Sequence, residues 1–315
     1  MSTYTGPTRI LFLAAVAALM ASHALAQAEG TLATSAGHEV NVSVAYYDYR
    51  EPGGNSISIH GLKVGGEYTG TLPLSKRRHW FAQANVRGTF GAVTYTGWCS
   101  PYLIRPNKAS PNGFELGFGD ASPCGETGDP DWYLEARGLA GKDVIGGTWA
   151  WSPYGGLGVR HLSNGTTGTA GYRTDEYLYV PVGVTARTRV GSRRTLSLNL
   201  EFDHLLHGWQ DTRGSKLGGG DFPATAAAPA FAIDGFSDVS FDQSRGWALR
   251  AGAKYPITTR WSVEPFYLHW NVSASPVNDQ TATFTVNGIT ARERIGFYEP
   301  LNTTDELGVK LGFHF

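Results

Sequence analysis

The chain closes on Leu307-Gly308-Val309-Lys310-Leu311-Gly312-Phe313-His314-Phe315, and the reading of this stretch decides the fold. Leu, Val, Leu, Phe and Phe occupy every second position, separated by Gly, Lys, Gly and His. An apolar face repeating every two residues is the pattern of a β-strand. The same alternation recurs upstream. Leu196, Leu198, Leu200 and Phe202 alternate with Ser197, Asn199, Glu201 and Asp203, and Trp247, Leu249, Ala251 and Ala253 share one parity with Arg250 and Lys254 between and beyond them. Further strands read from Val40-Val42-Val44, Leu62-Val64-Tyr68, Trp80-Ala82-Ala84-Val86, Leu134-Ala136, Leu157-Val159 and Leu178-Val180-Val182-Val184-Ala186. Residues Trp261 to Ser275 are strand-like with no clear facing. The sum is about ten strands.

The links between them alternate in length. Short ones fall at Pro73 to Arg78, Gly141 to Gly147, Val190 to Arg194 and Pro256 to Arg260; long ones fall at Thr96 to Pro130, Gly165 to Arg173, Gly208 to Ser244 and Val277 to Thr303. The first hairpin, at Pro52-Gly53-Gly54-Asn55, is a short exception on the long-link side. Charged residues make up only 17% of the chain, below the roughly 25% of ordinary globular domains. Yet the mean hydropathy is -0.22, and no stretch beyond the N-terminus is long and apolar enough for a membrane helix. A transmembrane barrel reconciles these numbers, because only alternate residues of each strand meet lipid. The predicted fold is therefore all-β, a transmembrane antiparallel up-and-down barrel of about ten strands. Twelve result if Thr281 to Val286, Asn287-Gly288 and Ile289 to Phe297 form a spanning hairpin. Its arms are short and the second carries Arg292, Glu293 and Arg294, so it reads as an extension above the membrane.

The C-terminal stretch resembles the assembly signal of bacterial outer-membrane barrels, carried by Leu307, Val309, Leu311, Phe313 and Phe315. That resemblance implies an outer-membrane location, with the barrel assembly machinery and outer-membrane lipid as partners, both termini periplasmic and long loops extracellular. Residues 1–26 read as a signal peptide. Arg9 supplies the basic region, Ile10 to Met20 the apolar run, and Ala24-Leu25-Ala26 the cleavage site, which leaves 27–315 as the barrel. The net charge of -1 argues against a nucleic-acid partner. Cys99 and Cys124 are expected to bridge in an oxidising compartment, and without nearby histidines they do not make a metal site. The polar strand faces would bring Arg87, Glu135, Arg137, Glu201, Asp203, Arg250, Lys254 and Lys310 together in the lumen, where mutual pairing is expected rather than an open pore. Trp80, Trp132, Trp209, Trp247 and Trp261 lie near strand ends, as interfacial girdles would.

One constellation suggests chemistry. In Arg160-His161-Leu162-Ser163-Asn164-Gly165, alternation puts His161 and Ser163 on the lipid-facing side with Leu157 and Val159. A histidine placed to take a serine proton makes a nucleophile for ester cleavage, provided a third group orients the imidazole. Two carboxylates begin the neighbouring strand. Glu176 shares parity with Leu178 and should face lipid; Asp175 should face the lumen unless a bulge turns it outward. The segment His161-x-Ser163-Asn164-Gly165 resembles the active-site segment of two outer-membrane lipid hydrolases, phospholipase A and the lipid A 3-O-deacylase. The resemblance implies an outer-leaflet esterase, with Asp175 at the family spacing, and calcium only if the chain is phospholipase-like; no other cofactor is expected. The likeness covers fewer than twenty residues, and the phospholipase's downstream Ser-Arg-Ser stretch is absent. The competing reading takes Ser163-Asn164-Gly165 as turn chemistry at a strand end. It leaves the chain a structural or binding barrel with surface loops. Asp203, His204 and His207 resemble the acid-histidine pairs of the omptin surface proteases, without that family's paired aspartates on another strand.

Overall fold

The computed structural model describes residues 32–53, 57–75, 77–99, 101–164, 173–191, 194–216 and 219–315. The signal-peptide reading for 1–26 and the turn residues Gly54, Asn55 and Gly165 lie outside them. Ten strands form the barrel: β1 (Gly37–Glu51), β2 (Ile57–Ser75), β3 (Trp80–Cys99), β4 (Ser122–Lys142), β5 (Trp149–Asn164), β6 (Arg173–Val190), β7 (Arg194–Thr212), β8 (Gly246–Pro256), β9 (Trp261–Val272) and β10 (Asn302–His314). Each pairs antiparallel with its neighbours in chain order, and β10 closes the ring on β1 from Glu39↔His314 to Arg50↔Thr303. Closure leaves no free edge, which is what a sheet needs in order to stand in hydrocarbon. Phe315 completes the seam. Its amide donates to the His38 carbonyl at 3.1 Å, and the His38 amide donates back at 3.3 Å.

The predicted parity holds around the ring. Val42, Leu62, Leu157, Leu200 and Leu307 are each more than half exposed on the outer wall. A water-soluble surface rarely carries so broad an apolar band. Trp80, Trp132, Trp247 and Trp261 are also exposed and sit toward the band's margins. The ambiguous β9 is resolved. Ser262, Phe266, Leu268, Trp270 and Val272 point inward and are buried, so a large apolar cluster lies on the lumen side there. Trp270, Tyr177, Tyr179, Leu205 and Leu268 form that cluster, which masked the strand's facing in the sequence. Inward Gly158 has the Tyr179 ring lying over it. A Cβ there would come within 2.2 Å of the ring, so only glycine admits this packing.

The Thr96 to Pro130 link is shorter than the sequence suggested. β3 and β4 stay paired far above the apolar band, out to Cys99↔Ser122, and the hairpin tip Tyr102–Pro106 with Phe114–Phe118 continues beyond. The cysteines therefore bridge strand to strand within a ladder, rather than across a loop, with Cα atoms 5.7 Å apart. Extended backbone won over the Gly- and Pro-rich composition because β3 and β4 keep pairing with each other there, although β4 meets β5 only from Asp131 on. The hairpin at Asn287-Gly288 turns as read, with φ values of 51° and 79°. It does not enter the barrel. Its arms, Asn278–Val286 and Ile289–Phe297, join Phe231–Phe236 and Gly220–Phe222 in a separate four-stranded sheet. This sheet and the Tyr102–Phe118 hairpin share a core of Ile104, Leu116, Phe231, Ile233, Phe236, Ala282, Phe284, Val286 and Ala291. They make a folded cap at the end opposite the short turns. At the short-turn end, the backbone amide and hydroxyl of Thr34 both donate to the Asp143 carboxylate at 2.7 Å, tying the segment before β1 to the far wall.

β7 carries one irregularity. Leu205 opposes Tyr179 and His207 opposes Leu178, leaving Leu206 as an unpaired extra residue. At the same height β7 exchanges its partner β8 for the short strand Val239–Gln243.

Candidate functional site

The lumen is built from residues that strand parity turns inward. Arg250 of β8 is its centre. Its two terminal nitrogens donate to both oxygens of Glu135 at 2.9 Å, and its Nε donates to Asp203 at 2.6 Å and lies 3.1 Å from Glu201. Arg137 donates to Glu201 at 2.6 Å and to Asn85 at 3.1 Å. Asn85 passes the network to Glu67, which pairs with Lys310 at 2.9 Å. Lys254 and His314 both meet Glu39 near the short-turn end. The expected pairing of lumen charges is thus present, and Arg87 joins it 3.7 Å from Glu135. Above this level Lys63 pairs with Asp131 and sits 3.3 Å over the Tyr47 ring. Tyr133 donates to Glu306 at 2.9 Å with Arg160 stacked on its face. Charges and aromatic rings fill the bore.

The cap is anchored in the top of this bore by Glu299, from the connection before β10. Glu299 is buried, accepts from Tyr49 at 3.4 Å, and lies 3.8 Å from Arg173. Glu51 also takes Tyr49, at 2.9 Å, and shares Arg173 at 3.7 Å. One guanidinium thus faces two carboxylates, with buried Asp175 within electrostatic range. Burial pushes the Glu299 carboxyl up to about 7, opposed by Arg173 and reinforced by Glu51. Sequence reading missed this anchor because Glu299 lies in no periodic segment. The cap core was partly visible, in the alternation Ala282-Phe284-Val286 that continues past its turn. The cap's outer surface has a shallow groove of about 440 Å³ lined by Asp221, Phe222, Phe231, Thr285 and Asn287.

On the outer wall, β5 ends at the predicted motif. His161 and Ser163 face outward, Leu162 and Asn164 inward, as alternation required. The register sets His161 opposite Glu176 and Ser163 opposite Thr174. His161 Nδ1 lies 3.4 Å from the Glu176 carboxylate, and the ring packs on Trp132 at 5.2 Å between centroids. Among the described residues no hydrogen bond joins His161 to Ser163. Asp175 points into the lumen and is buried, on the other side of the wall from His161. The structure therefore brings together His161 and Glu176, places Ser163 on the same face, and separates Asp175 from them. The three omptin-like residues divide likewise. Asp203 faces the lumen on Arg250, His204 is exposed, and His207 pairs with Asp242 at 3.0 Å.

No family model matches the chain, and no curated protein matches it in sequence. Among solved structures it is similar to the outer membrane protease OmpT of Escherichia coli, at 10% identity and a TM-score of 0.44 over 90% of this chain and 100% of that one. It is also similar to the translocator domain of the autotransporter NalP of Neisseria meningitidis, at 12% identity and a TM-score of 0.33 over 98% and 95%. An outer membrane channel of Pseudomonas putida F1 aligns at 12% identity and a TM-score of 0.34 over 93% and 100%. The chain is a closed antiparallel barrel of ten strands.

Proposed function

We propose that this chain is a bacterial outer-membrane protein that acts as a binding platform: the barrel anchors and the cap, on the cell surface, engages the partner. One observation carries the reading. The cap has a hydrophobic core of its own, whereas the bore beneath it is occupied by paired charges and aromatic side chains. A conduit needs the opposite arrangement, a wet lumen under mobile loops. The terminal strand ending at Phe315 would be read by the barrel assembly machinery, and both termini would lie in the periplasm. Two measurements test the reading together. Purified protein in planar bilayers should give no steady conductance, and an epitope inserted between Asn287 and Gly288 should be labelled on intact cells. A stable open-channel current, or an epitope reached only after the outer membrane is broken, would overturn it.

A second reading is favoured by the His161–Glu176 pair on the outer wall. In it the chain is an outer-leaflet lipid esterase. Ser163 Oγ attacks the ester carbonyl, His161 takes the serine proton and returns it to the departing alcohol, and Glu176 orients the imidazole. Water then releases the acyl group from Ser163. Lipid esters lie at that height, so substrate would arrive by lateral diffusion. Ser163→Ala should reduce acyl release from phospholipid and lipid A to background while the barrel still folds. Equal rates in wild type and variant would leave the motif as a strand end and its turn.

A further inference from the structure

At the seam that closes the barrel, the outer wall changes from apolar to charged within two positions. Leu62 and Leu307 mark the upper edge of the apolar band, on β2 and β10. Two positions on, a single row crosses four strands. His60 opposes Asp48, Asp48 opposes Asp305, and Asp305 opposes His269. Two carboxylates directly opposite each other on one face are destabilising unless donors compensate them. Here they are compensated separately. Arg50 Nε donates to the two Asp48 oxygens at 3.1 and 3.0 Å, and its Nη2 donates to Oδ2 at 2.6 Å. His269 Nδ1, at 2.9 Å, and the Tyr267 hydroxyl both meet Asp305 Oδ1.

Each clamp leaves one edge open. Arg50 Nη1 and Asp305 Oδ2 have no hydrogen-bond partner among the described residues, on side chains that are 66% and 42% exposed. Arg50 and the two aspartates carry one positive charge against two negative. A headgroup bearing only negative charge would be repelled. One bearing both signs would meet a guanidinium edge and a carboxylate edge on adjacent strands. Charged side chains on a lipid-facing wall are tolerated where headgroups begin, and this row sits there.

We propose that the seam binds the phosphoethanolamine headgroup of an outer-leaflet lipid, its phosphate on Arg50 Nη1 and its ammonium on Asp305 Oδ2. The inference rests on the membrane reading above, and the test separates the two. Purified barrel in detergent is examined by native mass spectrometry with phosphatidylethanolamine, phosphatidylglycerol or free phosphoethanolamine. Wild type should retain phosphatidylethanolamine about tenfold better than phosphatidylglycerol, the scale of one charge-assisted contact. Free phosphoethanolamine should bind more weakly than the lipid, because it lacks the acyl chains that pack on the band. Asp305→Asn and Arg50→Gln should each erase the preference while the folded band on a heat-modifiability gel stays in place. Equal retention of the two lipids by wild type, or an unchanged preference in both variants, would overturn the headgroup site. Failure of the wild-type protein to float with vesicles would instead count against the membrane reading.

Discussion

Replacing Arg250 by alanine is expected to lower the unfolding free energy of the barrel by about 3–5 kcal/mol. The magnitude follows from what would be left behind. Arg250 is the shared partner of Glu135, Asp203 and Glu201, all buried in the bore. A buried carboxylate that loses its cation keeps the desolvation cost and loses the compensating attraction. Arg137 and Arg87 each lie 3.7 Å from Glu135, so that carboxylate is partly rescued. Asp203 has no second cation within ion-pairing distance among the described residues. Arg250→Lys should recover only part of the loss, because one ammonium cannot reproduce the fork that reaches both Glu135 oxygens and Asp203. Urea unfolding in lipid vesicles, followed by tryptophan fluorescence, would read the effect. Arg294→Ala is the control. That side chain is 80% exposed and its Asp279 partner lies 3.9 Å away, so its removal should cost almost nothing. A loss below about 1 kcal/mol for Arg250→Ala would mean that the lumen network contributes little to holding the wall.

The second large effect is on pH. The Glu299 carboxyl rises from 4.5 to about 7 when the cap is seated, chiefly through burial. Between those values the seated form holds a proton that the released form has given up. Seating is therefore strongest below about pH 4.5 and weakens as pH climbs to about 7. The shift corresponds to about 3 kcal/mol. Two amides report it directly. Glu299 N–H donates to Ser275 Oγ at 2.8 Å, and Ser275 N–H donates to the Glu299 carbonyl at 2.9 Å. Their hydrogen exchange, corrected for the intrinsic rate, should accelerate across this window. In Glu299→Gln the dependence should flatten, with protection held at the low-pH level. Protection that rises with pH would reverse the sign and refute the account.

How far the fold could be read beforehand depended on what each strand faces. Where the outer face is apolar and the bore charged, as along Leu196 to Asp203, alternation is clean and the sequence discloses both faces. Along β9 the inner face changes from Ser262 and Glu264 to Phe266, Leu268, Trp270 and Val272, while the outer face changes from Trp261 and Val263 to His269 and Asn271, so neither face keeps one polarity and the period is lost. The cap was obscured for a different reason. Its short strands come from three separate long connections, and their shared core exists only once those connections meet. The outer-wall motif was legible in its facing, since parity correctly sent His161 and Glu176 outward and Asp175 inward. The seam row was not, because it is assembled from four strands spread from His60 to Asp305, and registers between such distant segments are absent from any local pattern.

The extra residue in β7 bears on how this wall tolerates change in length. Up to Leu205 the odd-numbered residues of the strand face inward; beyond it, Gly208 and Gln210 do. In a regular strand, losing one residue would invert every side chain that follows. Here, removing Leu206 would leave Leu205 inward, His207 outward and Gly208 inward, each on its present side. The bulge is thus a point where the loss of one residue can be absorbed without scrambling the bore, in a strand that serves both the barrel wall and the Val239–Gln243 extension above it.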